Sequence, residues 1–196
     1  MKTARYTATA MLLHWLMALL IFAAFPLGLY MVDLKLSPAK LQLISYHKWI
    51  GIVVLLLAVL RLLWRIKHRP PALPDTLLAW QQRASTAVHH ALYLLLFAVP
   101  LSGWLMSSAK GFQTVLFGVL PLPDLVNKNK ELGHLLGSVH ESLNYLLLAL
   151  VVAHIAAALK HRFVDRDTIL DRMLPGCVAR HGEQQPTLPA DQGGQL

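Results

Sequence analysis

Cysteine is nearly absent. Cys177 is the one cysteine in 196 residues, which excludes a disulfide scaffold and any cysteine-ligated zinc or iron–sulfur centre. Charge is scarce too: 14% of residues are Asp, Glu, Lys or Arg, against ~25% in soluble domains. Acidic residues number 10 against 18 lysines and arginines. There is no internal repeat and no glycine-rich phosphate loop. Together with a hydrophobic content of 56%, these shortages exclude an ordinary soluble enzyme and a disordered chain. A net charge of +8 would suggest nucleic acid in a soluble protein. Here nucleic acid is not an expected partner, because the few cations are better read as markers of membrane sides.

What is present is a set of long apolar runs. A membrane-crossing helix needs ~20 mainly apolar residues for a ~30 Å hydrocarbon core. Four segments qualify, at about 7–32, 41–64, 84–109 and 135–159. The first and third hold no charge. The second carries Lys48 near one end and Arg61 near the other, where long side chains can snorkel to the interface. The expected fold is therefore all-α: an integral membrane four-helix bundle in one domain, residues 1–175, with a disordered tail, 176–196, rich in Gly, Gln and Pro. Lys2 and Arg5 before the first run imitate a signal peptide. The run is too long for one and ends in no small-residue cleavage site, so an uncleaved first span is expected.

Orientation follows from the cations. With the N-terminus inside, twelve lie on the inner side, including every arginine, and six on the outer: Lys35, Lys40, Lys48, Lys110, Lys128 and Lys130. Both termini are thus expected in the cytoplasm. The inner loop holding His68-Arg69-Pro70-Pro71 and Pro74 reads as stiff and basic. Phe112, Val115, Leu116, Phe117 and Leu120 read as a short interfacial segment outside.

Ten histidines carry the chemistry. Five lie within spans: His14, His47, His89, His140 and His154. An ionisable side chain in a span is costly and marks function by default. His140 and His154 are fourteen residues apart, which puts them on one face of the fourth helix ~21 Å apart along its axis. Depth matches His47 to His140 near the outer surface and His14 to His154 near the inner one. Two imidazoles on facing helices can hold a haem iron axially. Zinc or copper also takes imidazole, but a zinc site wants three or four protein ligands. Two separate pairs without a clustered carboxylate or thiolate fit haem better. Gly51, Gly133 and Gly137 read as small residues that admit helix or porphyrin near this chemistry.

These residues resemble the bacterial cytochrome b561 family over about residues 6–175. The resemblance is carried by His14-Trp15, by Tyr46-His47-Lys48, and by the stretch from His89 through Tyr93 to Pro100 and Gly103. It continues in His140-Glu141 with His154 at the family's spacing, and in Asp167-Thr168-Ile169-Leu170 with Arg172-Met173. The fourteen-residue spacing is its specific part. It implies two b-type haems, one bound by His47 with His140 and one by His14 with His154, in a bacterial inner membrane. Within the family the chain is most similar to the small stand-alone type that takes an electron from periplasmic superoxide and passes it to ubiquinone. This implies a superoxide:quinone oxidoreductase releasing oxygen and quinol. The alternative is a quinol-linked electron-transfer subunit for a periplasmic redox protein, docked around residues 111–131.

Several roles follow from position. Lys40 and Lys48 are candidate guides for the superoxide anion, since steering needs positive potential, or partners of haem propionates. Arg65 and Arg83 read as snorkelling anchors, with propionates as the alternative. His89 is a candidate quinone contact that relays a proton; it could instead be packed, or replace His14 as a ligand. In the His89-His90 doublet, the sequence leaves open which ring faces the bundle. His161, with Lys160, ends the fourth helix on the same side and is a second quinone candidate. The expected surroundings are membrane lipid, quinone, superoxide and, on the alternative, a redox protein.

Overall fold

The computed structural model describes residues 5–72 and 77–174. The expected tail at 176–196 and Pro74 of the inner loop lie outside these residues. Four long helices form: α1 Ala8–Asp33, α2 Pro38–Lys67, α3 Ala79–Ala109 and α4 Lys130–Phe163. Each is long and apolar enough to cross a membrane. The first matches its expected span to within one residue, while α2, α3 and α4 outrun theirs because polar ends continue as helix past the hydrocarbon, where capping groups rather than hydropathy end them. Thr7 Oγ1 accepts the Ala10 N–H, Ser37 Oγ accepts the Lys40 N–H, and Asn129 Oδ1 accepts the Leu132 N–H. Pro38 occupies the first turn of α2, where a missing N–H costs nothing.

Neighbouring helices pack in chain order: α1 on α2, α2 on α3, and α3 most extensively on α4. Few large side chains are buried between them. Met17, Ile52, Val54, Leu95 and Leu147 are among those few. Leu12, Leu19, Leu94 and Val152 point outward and are more than half exposed, as lipid-facing side chains must be. An apolar cavity lies between the helices, walled from all four by side chains including Phe25, Val54, Leu95, Leu148 and Val151.

The segment between α3 and α4 is a two-stranded antiparallel hairpin, β1 Val115–Leu116 with β2 Leu120–Pro121, with Leu116 opposite Leu120. Its turn needs positive φ at Phe117 and Gly118. Phe112, Phe117 and Val119 are exposed on it. A short 3-10 turn, Leu170–Arg172, folds back on the other end. There Tyr6 N–H donates to the Arg172 carbonyl and Trp15 Nε1–H to the Met173 carbonyl.

Candidate functional site

The histidines of the spans come together in two places. The ring centres of His47 on α2 and His140 on α4 are 6.3 Å apart, near the hairpin end. Those of His14 on α1 and His154 on α4 are also 6.3 Å apart, near the opposite end. Metal–imidazole bonds of about 2.0–2.1 Å, extended to the centres of two opposed rings, span roughly the same distance. His89 lies closer to His154, at 5.3 Å between centres, shorter than two opposed ligands of one metal would stand. His89 is half-buried and His90 exposed, so His89 faces the bundle.

The first pair is held by matching notches. His47 Nδ1 is 3.1 Å from the Ala24 carbonyl, and His140 Nδ1 is 3.0 Å from the Val99 carbonyl. A carbonyl only accepts, so each Nδ1 carries the proton and each Nε2 keeps a lone pair for a metal. Four residues beyond each carbonyl stands a glycine. A Cβ on Gly28 would lie 3.2 Å from His47 Cε1, and one on Gly103 would lie 2.9 Å from His140 Cε1. Ser102 Oγ adds a contact of 3.1 Å to His140 Nδ1. Each notch lies beside a helix-interior proline, Pro26 or Pro100.

Gly28 and Ser102 were invisible as site residues in the sequence, although matching Gly28 to His47 by depth would have flagged it. Of the glycines expected to admit a helix or porphyrin, Gly133 and Gly137 admit α3 against α4, their Cβ positions meeting Lys110 and Met106, while Gly51 has open space where a Cβ would stand.

The two lysines expected to guide an anion both have structural partners. Lys40 Nζ donates to the Val32 and Leu34 carbonyls at the end of α1, at 3.0 and 2.6 Å. Lys48 Nζ donates to Ser107 Oγ and to the Phe112 and Gln113 carbonyls, each at 3.0 Å. All these acceptors are neutral carbonyls or a hydroxyl, so none of them forms an ion pair with either lysine. At the opposite end, His89 Nδ1–H donates to the Ser85 carbonyl at 2.7 Å. His161 Nδ1 meets Asp167 Oδ2 at 2.7 Å and Asp165 Oδ2 at 3.1 Å. Lys160 pairs with Asp165 at 2.6 Å, an ion pair beyond its expected anchoring role. Glu141 is exposed.

Paired imidazoles, lone pairs on the free nitrogens, an apolar cavity and packing that leaves the middle underfilled fit a porphyrin with axial histidines. The fold and site therefore define a class: a multi-pass membrane helical bundle built for electron transfer by haem. Residues 5–176 match the prokaryotic cytochrome b561 family, and the chain belongs to it. Members of that family bind haem b.

Among curated relatives, cytochrome b561 homolog 2 of Escherichia coli K12 is 36% identical over 91% of this chain and 95% of its own length. Cytochrome b561 homolog 1 of the same organism is 31% identical over 87% and 97%. A probable superoxide oxidase CybB of Yersinia pestis is 27% identical over 87% and 96%.

Proposed function

We propose that this cytochrome oxidises superoxide at the hairpin end and reduces ubiquinone at the opposite end, beside the Leu170–Arg172 turn. The observation that carries this reading is the presence of two imidazole pairs with the same 6.3 Å spacing toward opposite ends of one bundle. His47 with His140, and His14 with His154, would hold two b haems. When bound, these supply one-electron carriers toward both faces of the membrane. Two superoxide anions each lose one electron and leave as oxygen. One quinone takes both electrons and two protons and leaves as quinol.

The chain's own residues supply the rest. Lys48, beside His47, and Lys40 keep positive charge near the hairpin end, which favours approach of a small anion. His89 and His161 are the quinone candidates. His89 has Nδ1–H committed to Ser85, so neutral His89 offers Nε2 as an acceptor. His161 is backed by two carboxylates, an arrangement that suits proton transfer to a reduced quinone. Cations concentrated at this end favour its placement in the cytoplasm of a bacterial inner membrane. The similarity to a probable superoxide oxidase supports the choice of donor.

Stopped-flow mixing of purified, haem-loaded protein with superoxide tests the reading. The expected result is haem reduction far faster than in a buffer blank, followed by reoxidation on adding ubiquinone. Reduction no faster than the blank would overturn it. The exposed apolar tip of the hairpin, Phe117 and Val119 above all, favours a second reading in which a periplasmic redox protein docks there. That reading predicts co-purification of the partner and no superoxide reactivity.

A further inference from the structure

Arg61 lies inside the span of α2, yet it does not reach for water. Its Nε donates to the Tyr93 hydroxyl and its Nη1 to the Ala10 carbonyl, both at 3.1 Å. Arg65, one turn further on, brings its guanidinium to 5.1 Å from the Tyr93 ring centre, while Arg61 stands 5.9 Å from the same centre. All three residues are half-buried. Among the described residues neither arginine has an acidic partner; the ion pairs formed belong to Lys160, His161 and Arg162 at the end of α4. Two cations converging on one neutral phenol at membrane depth repel each other, and a carbonyl and a ring face compensate them poorly.

The place of this cluster identifies what would relieve it. Ala10 is one helical turn from His14, and Tyr93 is one turn from His89. His89 in turn stands 5.3 Å from His154 between ring centres. The Tyr93 oxygen accepts from Arg61, which leaves its own proton free to donate. Two guanidiniums and a hydroxyl are thus gathered beside the second imidazole pair, and this donor set matches a carboxylate.

We infer that Arg61, Arg65 and Tyr93 form a clamp for a propionate carboxylate of the haem proposed at His14 and His154, which raises that haem's reduction potential. This rests on the haem reading above. Arg83, an anchor by its sequence position, is exposed and takes no part.

The test is potentiometric titration of the full-length, haem-loaded protein, wild type against Arg61→Gln, Arg65→Gln and Arg61→Lys. Each is prepared once with haem b and once with its propionate dimethyl ester. Both glutamine variants should keep their haem content. Each should weaken reduction of one haem about tenfold, or ~59 mV for a one-electron couple, and that haem should be the one lost in His154→Ala. Arg61→Lys should recover part of the shift, because the charge is kept while the guanidinium fork is lost. With the ester, the Arg61→Gln effect should shrink, since no carboxylate is left to hold the guanidinium against that haem.

An equal effect with both haems would overturn the propionate clamp in favour of a fixed charge or another anion such as a lipid phosphate. No shift, or a shift in the haem lost in His140→Ala, would overturn it as well. If His154→Ala leaves both haem spectra intact, the haem reading itself fails, and that outcome is distinct from failure of the clamp. Should Arg61→Gln not fold, Arg65→Gln with the two haems decides the matter.

Discussion

The His140 ring lies so close over Gly103 that a methyl group on that glycine would stand 2.9 Å from Cε1. The ring is also tied to the Val99 carbonyl and Ser102, so it cannot yield without losing a hydrogen bond. Gly103→Ala should displace the imidazole, at a cost of about 1–3 kcal/mol for overpacking. The expected outcome is a changed or missing spectrum for one haem with the other unchanged. Gly28→Ala, with its closest contact to His47 at 3.2 Å, should produce a weaker form of the same defect. Absorption spectra with a pyridine haemochrome count check both.

The two pairs share α4 but no ligand. His47→Ala and His140→Ala should therefore give one and the same spectral loss, and His14→Ala and His154→Ala a different one. His89→Ala should keep both haems and slow quinone reduction. If His89→Ala removes a haem while His14→Ala does not, the second pair is His89 with His154.

Lys48 staples α2 to the end of α3 and the segment leading into the hairpin. Lys48→Met removes three hydrogen bonds from a charged donor and leaves two carbonyls short of one. A loss of about 1.5–3 kcal/mol is expected for such contacts, read as a lowered midpoint of thermal unfolding in detergent. The same variant should react more slowly with superoxide. The wild-type rate should fall with added salt, because a positive surface steering an anion is screened. A salt-independent wild-type rate would remove steering from the account.

Asn129 caps the helix that carries half of each pair. Asn129→Ala should cost ~1 kcal/mol, the usual price of a lost N-cap. Because the cap lies about three turns before His140, haem spectra should be unchanged. Thermal unfolding followed alongside the spectra separates stability from cofactor binding.

Much of this was legible in the chain because a membrane imposes strong rules. Continuous apolar runs mark spans, since no unpaired backbone group is tolerated in lipid. Helix geometry alone puts His140 and His154 on one face of α4. Depth counting also matched His47 to His140 and His14 to His154, and the same pairs lie 6.3 Å apart. The hairpin was harder to foresee, since Phe117 and Gly118 turn the chain through positive φ within a run that reads only as apolar. Lys40 and Lys48 read as anion guides or propionate partners. Their carbonyl partners are backbone atoms, and no side-chain pattern announces those.

The sequence by itself determined the membrane class, the number of spans and the depth of each imidazole, because hydropathy and helical rise act along one dimension. Only the tertiary structure decided which notch receives each ring. Gly28 and Gly103 lie on α1 and α3, while the imidazoles they admit come from α2 and α4. It also decided that Arg61 and Arg65 meet over Tyr93 instead of snorkelling apart. Such contacts depend on how helices rotate about their own axes when they pack, and that rotation is set by neighbours distant in the chain.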